Sequence, residues 1–354
     1  MNSDLTNKFC PRPFDHFEID RNGNVWVCCS RWLPLSIGNL NDSNVEDIIR
    51  SVGAREVKKS ILDGGFKYCD KSMCPDIISG TLPDKDSPYL QQPRYQTETV
   101  YDPTFFALTN DESCNLSCPS CRVKKINRTS GEIYEKIVSQ NNRILDYLKK
   151  KTKENPEREY WLHVTGSGDP FGSKAYRELL FNFDGREYPN LRLNLQTNGV
   201  MFTQKYWNMM EKCHGNLHTI LVSFDAAKED TYNITRRDGD WKTLNKNIEM
   251  LGKKRKEGFL KELRVDYVVQ DHNYVEMPDF VDNMDKVDFI DTYHFQKIVD
   301  WGTYPPNEFE KRAVWLDSHP EHLNFLEVLK DDRLRNDKIW WGNVAEFYNK
   351  AHSK

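Results

Sequence analysis

Cys114, Cys118 and Cys121 stand in the run CNLSCPSC at a C-x3-C-x2-C spacing, a few residues after the apolar stretch FFALT. Three thiolates on one short loop can hold three corners of a cubane iron–sulfur cluster and leave the fourth iron without a protein ligand. Such an iron is open to a substrate or a cofactor. A four-cysteine zinc site would pair C-x2-C with a second such pair, and a purely structural cluster would want four thiolates. This loop offers neither, since no fourth cysteine follows nearby.

A second group comprises Cys10, the adjacent Cys28 and Cys29, and a C-x4-C pair at Cys69 and Cys74. The alternating stretches FDHFEID and NVWVCC flank Arg21-Asn22-Gly23, and Asn-Gly is a strong hairpin signal. A hairpin there returns Cys28 toward Cys10. Successive strand residues face opposite ways, so Cys28 and Cys29 do not easily serve one site, and Cys28 is chosen because it keeps a C-x12-G-x4-C pattern. Helical turns between the hairpin and the last pair, with Asp42 or Ser43 as cap and Gly64-Gly65 as stop, carry Cys69 and Cys74 back. Four cysteines so assembled close around zinc or around an iron–sulfur cluster, and spacing hardly separates the two. Cys213, in QKYWNMMEKC, reads as a buried apolar residue.

After Cys121 the sequence alternates helical and strand-like runs. FFALT, YWLHVT, LRLNLQT, TILVSFDA, ELRVDYVVQ and FIDTYHFQKI are six strand candidates. The helices between them include 130–151, with Ser130 as cap, and one long stretch from Glu229 to Glu257. This alternation predicts an α/β fold with a parallel sheet whose carboxyl edge builds the site. Polar groups gather at those strand ends: Gly166-Ser167-Gly168-Asp169-Pro170, Gln196-Thr197-Asn198-Gly199 and Ser223-Phe224-Asp225, followed by Tyr232-x3-Arg236. His163, Asp266, Gln270, His294 and Gln296 receive no role, and the aromatic tail with Trp301, Tyr304, Trp315, Trp340 and Trp341 reads as helix packing against a barrel.

The chain has 354 residues, enough for one large domain and a smaller one. With 50 Lys and Arg against 54 Asp and Glu, the net charge of -4 gives no argument for a nucleic-acid partner, a tRNA substrate included. No apolar run reaches membrane-spanning length, and MNSDLTNKF lacks the regions of a signal peptide, so a cytoplasmic protein is expected.

The cysteine loop, with a strand before it and a helix after it, resembles the cluster loop of the radical S-adenosylmethionine (SAM) superfamily. Ser120 departs from that family, which usually carries an aromatic residue before the last cysteine. Gly166-Ser167-Gly168-Asp169 stands where the family shows Gly-Gly-Glu, with a shorter acid. The resemblance implies a partial (β/α)6 TIM-like barrel, a [4Fe-4S] cluster on Cys114, Cys118 and Cys121, and SAM bound by Gly166, Ser167, Gly168, Asp169, Thr197, Asn198, Ser223, Asp225 and Arg236. Arg236 would pair with the methionine carboxylate. The N-terminal cysteines resemble the twitch or SPASM module of such enzymes, which implies a small α+β module binding an auxiliary iron–sulfur cluster, a [4Fe-4S] cluster by preference, through Cys10, Cys28, Cys69 and Cys74. The module usually follows the catalytic domain and here precedes it.

The expected organisation is a module over 1–80, a linker over 81–104, the radical SAM core over 105–300 and a helical extension over 301–354. The implied activity is reductive cleavage of SAM to a 5′-deoxyadenosyl radical that takes hydrogen from a substrate carbon. Peptide or protein modification leads, with the auxiliary cluster handling electrons. Modification of a small metabolite derived from a sugar, nucleotide or amino acid is the alternative. A flavodoxin or ferredoxin is the implied electron donor. A non-catalytic metal-binding interaction protein is the rival from another class.

Overall fold

The computed structural model of the chain describes residues 4–99, 102–305 and 307–353. The first three residues of the MNSDLTNKF run lie outside them. Two compact units emerge. The first comprises Met1–Glu112, Arg128–Ser167 and Glu187–Leu193, and the second Ser113–Asn127, Gly168–Arg186 and Asn194–Lys354. Both cut across the boundaries expected from the sequence.

The reason lies in the strand pairing of the first unit. Strands β1 (His16–Ile19) and β2 (Asn24–Trp26) form the expected antiparallel hairpin, with Glu18 opposite Trp26. Its turn is set by Gly23 at φ +84° and by the Asp20 carboxylate, which accepts the N–H groups of Asn22 and Asn24 at 2.8 and 3.0 Å. β3 (Gly38–Asn39) extends the hairpin. β1 then pairs in parallel with β4 (Phe105–Leu108), which pairs in parallel with β5 (Tyr160–Val164). The cysteine-rich hairpin therefore continues the sheet of β4 and β5. Within the stretch expected as a linker, Leu82, Leu90 and Tyr95 are buried with Phe9, Phe14 and Phe66 in one apolar cluster, while residues 100 and 101 lie outside the described residues.

Local signals explain most of the helices here. Asn44, rather than Asp42 or Ser43, accepts the N–H of Asp47 and starts Val45–Ile49, and Ser51 caps Val52–Leu62, which stops before Gly64 at φ +77°. The long helix Glu132–Glu154 starts at Gly131, without the side-chain cap expected from Ser130, and buries Ile137, Ile144 and Leu148.

In the second unit β6 (Leu191–Thr197), which begins in the first, is followed by β7 (Leu217–Ser223), β8 (Glu262–Val269) and β9 (Thr292–Lys297), with helices between. β7, β8 and β9 pair in parallel, and a two-residue strand β10 (Ile339–Trp340), too short to be read from sequence, adds in parallel to β9. The six expected strands are β4 to β9, and the fold is a mixed α/β structure with an open parallel sheet, as a partial barrel requires. One face of β7 to β9 is apolar and buried, through Val222, Val265, Tyr267 and Phe295. The opposite face carries Ser223, Asp266, His294 and Trp340 in register across four strands.

The stretch read as one helix from Glu229 to Glu257 is two, Glu229–Thr235 and Trp241–Lys256. Asp238, at φ +69°, turns the chain between them, and Asp240 caps the second by accepting the N–H of Thr243 at 2.8 Å. No described helix is long and apolar enough to cross a membrane.

Candidate functional site

Within the second unit, the Cys114–Cys121 loop bonds Asn198 and Arg236 among the residues that the sequence singled out. Cys114 pairs its backbone with Ile126, closing the loop, and the Cys121 and Arg122 N–H groups both bond the Cys118 carbonyl at 3.0 Å, forming a tight turn under the last two sulfurs. Each sulfur receives a donor. Cys114 Sγ takes the Leu116 N–H at 3.4 Å and Asn198 Nδ2 at 3.5 Å, Cys118 Sγ takes Arg236 Nη1 at 3.9 Å, and Cys121 Sγ takes Arg122 Nη2 at 3.3 Å. Burial pushes the Cys114 thiol up to about 12, and that of Cys118 upward too, although Arg236 opposes it. The sulfurs need iron to become thiolates, and their surroundings supply donors and positive charge for an anionic cluster. The residues fit the group.

Asp169 is fully buried and locks the rest. Its Oδ1 accepts the N–H groups of Phe171 and Gly172 at 2.9 Å each, and Oδ2 accepts Thr197 Oγ1 at 2.8 Å and Asn198 N at 2.7 Å. Its own N–H bonds the Ser113 carbonyl, and Asn198 Nδ2 donates to Asn115 Oδ1 at 2.9 Å. Thus Thr197, Asn198 and Asp169 tie the end of β6 to the cysteine loop, and the four acceptor positions of Asp169 are all filled by the protein. Gly172 is needed for this approach, because a Cβ there would stand 3.0 Å from the Cys114 Cα. Gly166 and Ser167 belong to the first unit, where Ser167 Oγ donates to the Thr109 carbonyl at 2.7 Å and Thr165, just before them, takes a strained φ of +79°.

Asp225, at φ +59° beyond β7, accepts Val268 N at 2.7 Å and pairs with Arg236 Nη2 at 2.6 Å. Burial alone would lower the Arg236 pKa, but Asp225 and the Cys118 sulfur push it up. Arg236 is thus shared between a carboxylate and a ligand sulfur, while its buried Nε, like Tyr232 Oη, has no hydrogen-bond partner among the described residues. An unmet buried donor beside the cysteine loop suits an anionic ligand group. Three contacts that the sequence did not suggest secure the loop. Ser117 Oγ donates to Asp238 Oδ2 at 2.5 Å while accepting Arg237 Nε at 3.0 Å, and Thr303 Oγ1 donates to the Pro119 carbonyl at 2.9 Å. Arg122 was legible as a charge next to a ligand, yet nothing in the spacing marked it.

Of the unassigned polar strand residues, Asp266 and His294 form a pair of their own. Asp266 accepts Arg264 in a two-point contact at 2.7 and 3.0 Å and His294 Nδ1 at 3.2 Å, and Trp340 stacks on His294 at 4.1 Å. His163, in the first unit, stacks on Phe105. Of the tail aromatics, Trp340 and Trp341 pack on β9 side chains, whereas Trp301 is 61% exposed. Cys213 is fully buried in the core.

In the first unit the Asp70 N–H bonds the Trp32 carbonyl at 2.7 Å and so ties the Cys69–Cys74 turn to the segment after the hairpin. Cys10 and Cys69 pack against the N-terminal apolar cluster that contains Cys74. Burial pushes the thiols of Cys10 to about 11 and Cys69 to about 12 and that of Cys28 higher, and negative charge on Cys10 adds to the rise at both Cys28 and Cys69. Burial also raises the Cys29 thiol, and the neighbouring charge that adds most to its rise is Glu18. Burial would lower the Arg12 pKa, but Cys28, Cys10 and Asp76 outweigh it, so a cation borders this set too. Among the described residues no three or more His, Cys, Asp or Glu groups converge as ligands of a single ion. A cubane spreads its thiolates over separate irons.

A three-thiolate loop at the end of a parallel strand, joined to glycine- and acid-bearing strand ends, defines an iron–sulfur enzyme of the α/β class. Residues 112–274 match the model of the radical SAM superfamily and residues 10–75 that of the SPASM iron–sulfur cluster-binding domain, so the chain carries a radical SAM domain with a SPASM domain at its N-terminal side. The radical SAM domain implies SAM and a [4Fe-4S] cluster as cofactors, and the SPASM domain an auxiliary iron–sulfur cluster. No curated protein matches the sequence. Among solved structures, native anSMEcpe with bound AdoMet and Cp18Cys peptide is 17% identical, with 66% of this chain and 62% of that one covered and a TM-score of 0.43. Histidine-tagged anSMEcpe with bound AdoMet is 17% identical (55% and 51% covered, TM-score 0.40). The methyltransferase TsrM from Kitasatospora setae, with tryptophan substrate and a SAM analogue, is 13% identical (52% and 34% covered, TM-score 0.39). The chain thus spans about half of the tagged anSMEcpe chain and a third of TsrM. These likenesses are too distant to bear on substrate.

Proposed function

We propose that Cys114, Cys118 and Cys121 hold the catalytic cluster, that SAM binds at its open iron, and that the protein modifies a peptide or protein substrate. When bound, the cluster and SAM together supply a 5′-deoxyadenosyl radical that takes hydrogen from an unactivated carbon. The observation that carries this reading is the convergence on three sulfurs of four donors from three separate elements of the second unit.

The chain's own residues bind and position. Asp169 fixes the end of β6 at Asn198 and the turn at Phe171 and Gly172, and so holds the loop that begins at Gly168 beside the SAM amino group. Thr197 and Ser223 line the strand ends toward the ribose. Arg236, steered by Asp225, presents its remaining N–H to the methionine carboxylate. Cys10, Cys28, Cys69 and Cys74 hold the auxiliary cluster, which suits an oxidation or a cross-link in a peptide. A flavodoxin or ferredoxin supplies the electron.

Titration of SAM into the cluster-loaded protein tests the site: binding by the wild type and its loss in Cys118→Ala are expected, and equal binding by both refutes it. Short peptides encoded beside the gene test the substrate class. They should accelerate 5′-deoxyadenosine release, and acceleration by a sugar, nucleotide or amino-acid metabolite alone would replace the peptide reading.

A further inference from the structure

Arg122 directly follows the last ligand cysteine and is not among the residues assigned to SAM, yet it is a buried guanidinium, 8% exposed, with Nη2 3.3 Å from Cys121 Sγ. Its backbone N–H bonds the Cys118 carbonyl at 3.0 Å, so the turn that shapes the loop also fixes where the side chain starts. A planar guanidinium is a strong donor, and a charged donor makes a stronger hydrogen bond than a neutral one. Cys118 receives the second guanidinium, that of Arg236, at 3.9 Å, but that charge is already balanced by Asp225 at 2.6 Å. Among the described residues Cys114 receives neutral donors, Leu116 N and Asn198 Nδ2. Of the three ligand sulfurs, Cys121 therefore has the closest charged donor.

We propose that Arg122 is a positioning residue that sets the reduction potential of the SAM-binding cluster. Adding one electron makes the cluster more negative. A fixed positive charge with an N–H directed at a ligand sulfur stabilises that state more than the oxidised one, which raises the potential. The balance is simple: a low-potential donor gives one electron, no bond is made or broken, and Arg122 stays protonated throughout. The loop thereby brings the cluster within reach of its donor, while Arg236 is left to the carboxylate of SAM.

The inference rests on the cluster reading above. Its test is a redox titration of the holoprotein followed by electron paramagnetic resonance, reading the reduced-cluster signal that changes on adding SAM. Loss of one charge-assisted hydrogen bond should cut the reduced fraction of Arg122→Gln at a fixed potential about tenfold, which for a one-electron couple is about 59 mV downward. Arg122→Lys keeps the charge without the fork and should fall between the two. A midpoint in Arg122→Gln equal to or above that of the wild type overturns the proposal. So does an Arg122→Lys midpoint that matches the wild type, which keeps the test decisive if the glutamine variant loads no iron. Absence of any SAM-responsive signal in the wild type defeats the cluster reading itself, and this inference with it.

Discussion

Replacing Asp169 by alanine should unfold the cofactor edge of the second unit before any chemistry is tested. The carboxylate accepts four protein donors, three of them backbone N–H groups of Phe171, Gly172 and Asn198, in a site with no solvent exposure. Each buried donor left unmet costs about 1 kcal/mol or more, so the three give about 3 kcal/mol, and the void adds about 1 kcal/mol. Part of this is offset, because burial also disfavours the ionised carboxylate and raises its pKa. A net loss of about 3 kcal/mol remains. Asp169→Asn keeps one oxygen for Phe171 and Gly172, and Thr197 Oγ1 can rotate to accept, so only Asn198 N faces a wrong partner and the loss should be about 1–2 kcal/mol. Urea unfolding of the iron-free chain, followed through Trp207 and Trp241 fluorescence, measures the stabilities. SAM titration of the loaded variants should show weakened binding in the same order. An alanine variant within about 0.5 kcal/mol of the wild type, with unchanged SAM affinity, would refute the role given to Asp169.

Cys28→Ala should lose the auxiliary cluster while keeping the SAM-responsive one, whereas Cys29→Ala should keep both; iron analysis with spectroscopy decides, and the reverse pattern would reassign the ligand. Arg236→Gln leaves Asp225 buried and uncompensated and should cost about 3 kcal/mol, with Asp225→Asn in the same chain recovering part; a double-mutant cycle with additive losses would contradict the pairing. Burial would raise the Asp266 pKa, but His294 and Arg264 more than offset it, so its folded value is lowered. Its stability contribution is complete above the ordinary carboxylate value of about 3.9 and is lost as pH falls through the lower folded value. Acid unfolding curves of Asp266→Asn should therefore be flatter below about pH 4 than those of the wild type, and identical curves would count against it.

The chemistry in this chain was more legible than its architecture. The cysteine spacing, the strand order from β4 to β9 and the hairpin at Asn22-Gly23 all depend on local patterns that a sequence carries openly. The parallel pairing of β1 with β4 is a long-range contact with no local mark, so the N-terminal cysteines read as a separate body and the packed stretch around Leu90 and Tyr95 read as a linker. The break at Asp238 escaped because Glu229–Glu257 keeps a helical composition across it, although Asp238-Gly239-Asp240 contains the turn residues. At the site, the residue types at strand ends were visible, but their partners were not. Asp169 as a clasp, Asp225 on Arg236 and Arg122 on Cys121 follow from folding, which no spacing rule supplies.

The most direct test of the central claim is the 5′-deoxyadenosine formed from SAM by anaerobically reconstituted, chemically reduced protein, with Cys118→Ala alongside. The account predicts slow release by the wild type without added substrate and none by the variant. No release from wild-type protein that carries both clusters and binds SAM, or equal release by the variant, would contradict it.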